Sequence, residues 1–403
     1  MDRSLRFKLR STAIGAGALL LVVVGLWFGG HPGWLPAPLR SVFVSQTADE
    51  RLVQTTLNLL AKNYYRPVNT QALLNSGLQD AVNSLDDPYS HYYPPALYRA
   101  FENETDSQVV GIGVAVAPEP VNGGVKVLEV FPSSPAQRAG LHDGDLITAV
   151  GSISLHGKTV GQAGALIRGA AGTRVTLTVR RAGRLKRMTL TRSDVSIPVA
   201  SAKLLIYHGK RIGYLALTQF ASDAAAELRA AVRRMQRARA QGLILDLRDN
   251  PGGLLLQAVA VASIFISDGK IVTTRSRNQP TEVYTALGDA IAPHIPLVVL
   301  VNRGTASSAE IVTGALKDRG RAKVVGTRTY GKGVFQEILP LPGGGALEMT
   351  VGEYFTPNGQ NLGAGGVKEG RGITPNVYAY DNPANPGPHA LSVAERTVAS
   401  EIR

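Results

Sequence analysis

Three hydroxyl residues, Thr305, Ser307 and Ser308, stand near the start of a predicted helix that follows an aliphatic strand at residues 297–301. Unpaired N–H groups and the positive end of the helix dipole raise the electrostatic potential at a serine in this position, which favours a nucleophile. Helix capping also explains small hydroxyl residues at a helix start. Considered alone, this loop favours capping.

A second loop of the same kind, residues 246–253, follows an aliphatic strand and ends in Pro-Gly-Gly. Gly252 and Gly253 tolerate backbone angles that other residues avoid. The loop leads into a predicted helix whose first N–H groups have no partner within the helix. Convergent N–H donors of this kind predict a site for an anion or for the oxyanion of a transition state.

Lys332 lies between two glycines in a chain that has 12 Lys and 31 Arg. Because Arg is the usual cation of this chain, a lysine here is not simply its default surface charge. Burial lowers the pKa of a lysine, so that lysine can act as a base, whereas arginine stays protonated. A Ser–Lys pair is an established combination of nucleophile and base. Without its context, however, Lys332 is most simply a solvated lysine in a turn.

A glycine-rich strand entry at residues 110–114 is followed by Ser-Pro-Ala-Gln-Arg-Ala-Gly-Leu at 134–141 and Gly-Asp-Leu-Ile at 144–147. In this order the motifs resemble a PDZ domain of the bacterial protease type. Such a loop directs backbone N–H groups at the terminal carboxylate of a peptide, and the following strand edge pairs with the peptide. The resemblance implies four peptide-binding residues: Gly111, Ile112, Gly113 and Val114.

Residues 47–377 resemble the carboxyl-terminal processing proteases, also called tail-specific proteases. The motifs that carry the resemblance occur in the family order: Leu-Asp-Asp-Pro-Tyr-Ser at 85–90, the PDZ motifs, and segments 246–253, 302–310, 331–336 and 356–359. The resemblance implies a serine endopeptidase that recognises protein C-termini through its PDZ domain and cleaves near them through an acyl-enzyme. Its substrates would be proteins with accessible, apolar C-termini.

By motif position, the resemblance implies that Ser307 is the nucleophile, Lys332 the base and Gln336 the residue that supports the base. Glu310 selects Ser307 rather than Ser308, because the family serine precedes a Glu by three residues. The implied oxyanion hole consists of two backbone N–H groups, one from Ser308 and one from either Gly252 or Gly253. The family usually has Ala where this chain has Ser308, but a backbone N–H serves with either side chain.

Continuous aliphatic strands that alternate with helices predict an α/β structure with a buried, largely parallel sheet. The resemblance implies a crotonase/Clp-protease-like α/β core with an inserted PDZ domain and an N-terminal helical segment. We therefore expect five segments: a membrane anchor or signal segment (1–30), a linker and helical domain (31–105), a PDZ domain (106–195), a serine protease core (196–380) and a C-terminal tail (381–403).

Four basic residues at positions 3–10 precede an uncharged stretch at 11–30. Twenty helical residues span about 30 Å, which is one hydrocarbon core. Basic flanks stay cytoplasmic, so we expect a single inner-membrane anchor with the catalytic part in the periplasm. A cleaved signal peptide is the alternative, although such a peptide normally has a shorter apolar region of about 7–15 residues and a small-x-small cleavage site.

Composition restricts the remaining function classes. The absence of Cys excludes disulfides, thiolate zinc sites and cysteine nucleophiles. The seven His are scattered without metal-ligand spacing, so we expect neither a metal nor another cofactor. The net charge of +13 suits an anionic membrane surface or acidic substrates. We expect no nucleic-acid partner, because no matching motif accompanies the charge.

One alternative from another class stays open, namely a PDZ adaptor or holdase with an inactive protease-like domain. The complete set of Ser307, Lys332 and Gln336 argues against it. A homo-oligomer is compatible with the sequence, which does not determine the oligomeric state.

Overall fold

The computed structural model describes residues 47–105, 108–119, 123–363, 370–380 and 389–402. The chain divides into two compact units, one that ends at Ala81 and one that begins at Val82. Within the described ranges, no helix is long and apolar enough to cross a bilayer. The predicted anchor or signal segment lies outside these ranges.

The first unit contains helix α1 (Ala48–Asn63) and most of helix α2 (Thr70–Asn83). Helix α1 begins after Thr47 because Thr47 and Glu50 cap it reciprocally. The Glu50 N–H donates to Thr47 Oγ1 at 3.2 Å, and the Thr47 N–H donates to Glu50 Oε2 at 2.9 Å. This arrangement satisfies two N–H groups that the first turn of a helix leaves unpaired.

The second unit begins with a short strand and a helix and continues into the segment with the PDZ motifs. The elements in this part are β1 (His91–Tyr93), α3 (Pro95–Thr105), β2 (Gln108–Gly111), β3 (Val114–Pro118), β4 (Val125–Val130), α4 (Pro135–Arg138), β5 (Leu146–Val150), β6 (Ile153–Ser154), α5 (Val160–Ile167), β7 (Arg174–Arg181), β8 (Arg184–Thr191) and β9 (Ser193–Ser196). Five of these strands form an antiparallel sheet in the order β3-β4-β5-β7-β8, and β6 pairs with β5.

Strand β3 lies at one edge of this sheet, and helix α5 contacts it. The PDZ segment has its own core, which includes Val127, Ile147 and Leu177. The sequence predicts one strand over residues 109–116, but the structure has two, because Ile112 and Gly113 turn the chain between β2 and β3. Gly113 has φ +79°, a left-handed conformation that favours glycine.

The α/β core follows. Its elements are β10 (Ala200–Tyr207), β11 (Lys210–Leu217), α6 (Ala224–Arg237), β12 (Gly242–Asp246), α7 (Leu255–Ser263), β13 (Lys270–Ser276), β14 (Glu282–Thr285), β15 (Leu297–Val301), α8 (Ser308–Asp318), β16 (Lys323–Gly326), β17 (Val334–Pro340), β18 (Ala346–Phe355), β19 (Val377–Tyr378) and α9 (His389–Glu401). Six strands form one sheet in the order β10-β11-β12-β15-β16-β19, in which all pairs except β10–β11 are parallel.

The central strands β12 and β15 are buried along their whole length, as their continuous aliphatic sequence predicts. Helices α6, α7 and α8 cover one face of the sheet, where they form the largest hydrophobic cluster. Helix α9 covers the other face, where Val398 packs with Ile244 and Val298. Helix α9, which lies within the predicted C-terminal tail, therefore completes the core.

A second, antiparallel sheet has the order β1-β18-β13-β14, with β17 paired to β18. The sequence analysis did not predict these strands. The second sheet matters for function, since β17 follows Lys332 directly and β18 lies beside it.

Candidate active site

Ser307 is the N-cap of helix α8, on the turn that joins buried strand β15 to that helix. Its backbone has φ +51° and ψ −120°, a region that residues other than glycine rarely occupy. Such strain costs on the order of 1–3 kcal/mol and persists only where surrounding contacts impose it. The side chain is half-buried, so the turn presents a hydroxyl without enclosing it.

The two loops of the sequence analysis lie against each other. The Ala306 N–H donates to the Asn250 carbonyl at 2.9 Å. Asn302 also holds Asp249, because its Nδ2 donates to the Asp249 carboxylate and its Oδ1 accepts the Asp249 N–H, both at 2.9 Å. A Cβ on Gly252 would lie only 2.7 Å from the Ser307 Cβ, so only glycine permits this approach.

The neighbouring hydroxyls are engaged in structural hydrogen bonds. Thr305 Oγ1 donates to the Leu247 carbonyl at 2.7 Å, and Ser308 Oγ donates to the Gly253 carbonyl at 2.7 Å. Both Thr305 and Ser308 are buried. Of the three hydroxyl residues, Ser307 is therefore the one placed to meet a substrate.

The N–H groups near Ser307 differ in their availability. The Gly252 N–H donates to Asn250 Oδ1 at 2.9 Å and is thus occupied. Among the described residues, no hydrogen-bond acceptor is found for the N–H groups of Gly253 and Ser308. The two available donors follow the two strands β12 and β15 that lie side by side in the sheet, so they converge on one edge.

Glu310 lies in the first turn of helix α8 and is fully buried, with 0% exposure. Its Oε2 accepts the N–H groups of Ser307 and Lys332, both at 3.0 Å. Its Oε1 accepts the Gly331 N–H at 2.7 Å and the Thr329 hydroxyl at 2.5 Å. One carboxylate therefore joins the backbone of the serine loop to that of the lysine loop.

Burial raises the pKa of Glu310 to about 7, although the four donors favour its ionised form. Tyr354, from strand β18, bridges the same loops: its hydroxyl contacts the carbonyl oxygens of Ser307, at 3.4 Å, and Lys332. Tyr354 is buried, which raises the pKa of its phenol well above the ordinary value. Two buried side chains thus hold the serine and lysine backbones together.

Lys332 is half-buried, and its Nζ lies 4.4 Å from the centroid of the Tyr89 ring. Burial lowers the pKa of its amine below the ordinary value, against the opposing charges of Glu348, Asp87 and Glu310. Only the neutral amine of a lysine can accept a proton. A lowered pKa makes this neutral form available at moderate pH.

Gln336 lies in strand β17, and its Nε2 donates to Thr350 Oγ1 in β18 at 2.8 Å. This bond leaves the amide oxygen of Gln336 as the acceptor that can orient an amine. Gln336 therefore lies on the strand that follows Lys332 in the chain, and the neighbouring strand β18 holds its amide.

The four predicted peptide-binding residues line a cavity of about 190 Å³ in the PDZ segment. Residues of strand β3 and helix α5, including Val160, Gly164 and Ile167, line the same cavity, and Arg168 lies at its margin. Its lining is mainly aliphatic. The open edge of β3 and the facing helix form the type of groove into which an extended peptide adds as a strand.

Sequence reasoning used Glu310 only to locate the nucleophile and missed its role in holding both loops. A Glu three residues after a serine at the predicted start of a helix is the signal of a capping box, which could have suggested this role. Tyr354 and Thr350 gave no local signal, since tertiary pairing of β18 brings them to the site. Within the described ranges, no group of three His, Asp or Glu side chains could hold a metal ion.

Comparisons with known proteins identify the family of this chain. Residues 211–379 match the sequence profile of peptidase family S41, and residues 126–181 match a PDZ domain profile. A carboxyl-terminal-processing protease of Picosynechococcus sp. is 36% identical over 297 residues, which are 72% of this chain and 71% of that protein.

A Staphylococcus aureus protein named "Probable CtpA-like serine protease" is 34% identical over 328 residues, which are 81% of this chain. The match spans 64% of the length of that relative. Among solved structures, the chain is similar to the photosystem II D1 C-terminal processing protease, with a TM-score of 0.50 and 26% identity. That match covers 89% of this chain and 99% of the other.

Proposed function

The chain belongs to the carboxyl-terminal-processing proteases of peptidase family S41, and we propose that Ser307 and Lys332 form its catalytic dyad. The observation that carries the proposal is Glu310, whose carboxylate binds the backbone N–H groups of both residues at 3.0 Å. A buried carboxylate that fixes two loops in this way keeps nucleophile and base in one site. Burial of the Lys332 amine supports its role as the base.

In the proposed mechanism, the neutral amine of Lys332 accepts the proton of the Ser307 hydroxyl as Oγ attacks a peptide carbonyl. The N–H groups of Ser308 and Gly253 stabilise the oxyanion, since the Gly252 N–H is already bound to Asn250. The Lys332 ammonium then protonates the leaving amine. Water hydrolyses the acyl-enzyme with Lys332 again as the base, while Gln336 orients the amine.

The PDZ groove selects protein substrates by their C-termini. An aliphatic lining favours apolar terminal side chains, and the open edge of strand β3 supplies main-chain hydrogen bonds that do not depend on sequence. Backbone N–H groups at residues 111–114 would receive the terminal carboxylate. The proposed division into a PDZ domain (106–195) and a protease core (196–380) encloses the two matched profiles.

The N-terminal sequence supports an extracytoplasmic location. The basic residues at positions 3–10 and the uncharged stretch at 11–30 would anchor the protein in the inner membrane with the protease in the periplasm. A cleaved signal peptide would give a periplasmic protein without an anchor. Cell fractionation with an epitope at the C-terminus, together with sequencing of the mature N-terminus, separates the two.

The dyad is tested by Ser307→Ala and Lys332→Ala in the full chain. We expect each substitution to reduce cleavage of a protein with an apolar C-terminus at least about a thousandfold, because each removes a group that the reaction needs. Ser308→Ala is the matched control and should retain cleavage, since its N–H remains. Thermal unfolding shows that the variants are folded. Wild-type cleavage by Ser307→Ala or Lys332→Ala would exclude the dyad.

A further inference from the structure

We propose that the turn at residues 87–90 is a positioning element for the general base, in which Tyr89 holds the amine of Lys332 and Ser90 supports the amide of Gln336 through Thr350. The inference rests on the dyad proposed above. The turn precedes the PDZ segment in the chain, whereas Lys332 and Gln336 come after that segment. The base would therefore be completed by chain from the other side of the PDZ segment.

Asp87, the first residue of the turn, stabilises the turn through two hydrogen bonds. Asp87 Oδ1 accepts the Tyr89 N–H at 3.0 Å, and Asp87 Oδ2 accepts the Ser90 hydroxyl at 2.6 Å. Burial would raise the pKa of Asp87, but its hydrogen bonds with Ser90, Tyr89 and Thr350, together with the charge of Lys332, hold it below the ordinary value. An ionised Asp87 accepts both hydrogen bonds and thereby holds the backbone of the turn at Tyr89.

From this turn, a chain of hydrogen bonds leads to Gln336. Ser90 is buried, and its Oγ accepts the Thr350 N–H at 3.0 Å. Thr350 Oγ1 in turn accepts from Gln336 Nε2 at 2.8 Å. Because Ser90 donates its proton to Asp87, its oxygen is free to accept from Thr350. Loss of the Ser90 hydroxyl would leave the Thr350 N–H without this acceptor and loosen the support of Gln336.

The Tyr89 ring provides the second contact. The Lys332 amine lies 4.4 Å from its centroid, well within the distance of about 6 Å at which an aromatic face attracts a cation. Lys332 lies between Gly331 and Gly333, so its immediate neighbours offer no side chain to direct its flexible stem. The ring therefore limits where the amine can lie and shields it from water.

The groups that face Lys332 are carboxylates and phenols. Glu348 from strand β18, Asp87 from the turn and Glu310 from helix α8 favour the ammonium form. The aromatic face itself favours the ammonium form, but burial is the largest influence on the pKa of Lys332. Removal of the Tyr89 ring hydrates the amine and weakens that burial, so the pKa of Lys332 should rise. The form that can act as a base would then dominate only at higher pH.

The test uses Tyr89→Leu, Tyr89→Phe and Tyr98→Leu in the full chain, with kcat and KM of a peptide substrate measured against pH. We expect Tyr89→Leu to reduce kcat roughly tenfold or more, to leave KM nearly unchanged, and to move the rising limb of the profile to higher pH. Tyr89→Phe keeps the ring and should restore the rate and the limb. Tyr98→Leu, in helix α3, is the control because it removes a tyrosine that lies outside the site. If Tyr89→Leu had the same kcat as the wild type and a rising limb at the same pH, the inference would be overturned.

The Ser90 contact is tested by a double-mutant cycle. If the turn acts through Gln336, Ser90→Ala should reduce kcat in the wild type but have little further effect in Gln336→Ala. Fully additive losses would refute this route. Lys332→Ala, assayed in parallel, separates the two proposals. Activity in Lys332→Ala refutes the dyad. If Lys332→Ala is inactive but Tyr89→Leu has the activity of the wild type, only the positioning role is refuted.

An independent measurement guards against loss of folding. In Ser307→Ala, the lysines can be methylated with a ¹³C label, and the titration of the Lys332 signal followed by NMR. The chain has 12 Lys, and Lys332→Arg identifies the signal. Adding Tyr89→Leu should raise the pKa of Lys332, and adding Tyr89→Phe should not. An unchanged pKa in a folded Tyr89→Leu variant would contradict the proposal without reference to activity.

Discussion

Lys332 meets opposing influences. Burial lowers the pKa of its amine, whereas the carboxylates of Glu348, Asp87 and Glu310 raise it, in decreasing order. A base needs the neutral amine, so these carboxylates oppose the chemical step while they help to hold the side chain. Glu348 is the strongest of them, and its own position is fixed because the Tyr93 hydroxyl donates to its Oε2 at 2.7 Å.

Glu348→Gln should therefore shift the pH profile of kcat/KM. Without this carboxylate the ammonium form loses a favourable interaction, so the pKa of Lys332 falls and the rising limb moves to lower pH, by about 0.5 unit or more. The measurement is the rate of peptide cleavage between pH 5 and pH 10 at constant ionic strength. Glu337→Gln on the adjacent strand β17 is the matched control and should leave the limb in place. A shift to higher pH in Glu348→Gln would contradict the argument.

At the scale of elements, Glu310 joins helix α8 to the loop before strand β17. Its four donors come from Ser307, Thr329, Gly331 and Lys332. An amide in its place has one acceptor oxygen and an NH₂ group that cannot accept. The exchange of Glu for Gln, which is almost isosteric, therefore tests whether these acceptors hold the site together.

We expect Glu310→Gln to reduce cleavage strongly and to lower the free energy of unfolding by roughly 1–3 kcal/mol for each donor left without an acceptor. Burial raises the pKa of Glu310 from 4.5 to about 7 in the folded protein. As the pH rises, the unfolded chain ionises first, so this group contributes a loss of stability between about pH 4.5 and pH 7. Denaturant titrations across that range should show this loss in the wild type and not in Glu310→Gln.

The elements that sequence could predict are those in which a local pattern determines burial. The aliphatic runs of strands β12 and β15 and the capping residues of helix α1 needed no tertiary information. Strands β17 and β18 have half-buried positions and no such run, so their pattern was not recognised. The proposed catalytic residues follow from the family motifs, but the contacts of Tyr89, Thr350 and Tyr354 depend on strands that pair only in the folded chain.

At the scale of the whole molecule, the second unit contains two different kinds of recognition. The PDZ groove has an aliphatic lining suited to a chain terminus, whereas the site at Ser307 has backbone donors and a half-buried lysine. We thus assign two functions to different surfaces of one chain. The PDZ groove selects a substrate by its C-terminus, and the site at Ser307 cleaves an internal peptide bond. The two functions should therefore be separable by substitution.

Gly164 and Gly161 offer a matched pair for this separation. Both lie in helix α5, but only Gly164 lines the PDZ groove. A Cβ on Gly161 would meet Thr159 Oγ1 at 3.9 Å, and one on Gly164 would meet the Arg168 guanidinium at 4.0 Å, so neither clashes. Leucine is a better helix former than glycine by about 0.5–1 kcal/mol, so both substitutions to Leu should preserve or raise the Tm.

Gly164→Leu should then fill the groove and raise the KM for protein substrates with apolar C-termini, by tenfold or more, without changing kcat for a short peptide cleaved at saturation. Gly161→Leu should leave both values unchanged, because Gly161 does not line the groove. A peptide-binding titration of the full chain in the Ser307→Ala background measures the groove directly. Equal KM values for the two variants would show that C-termini are selected elsewhere on the molecule.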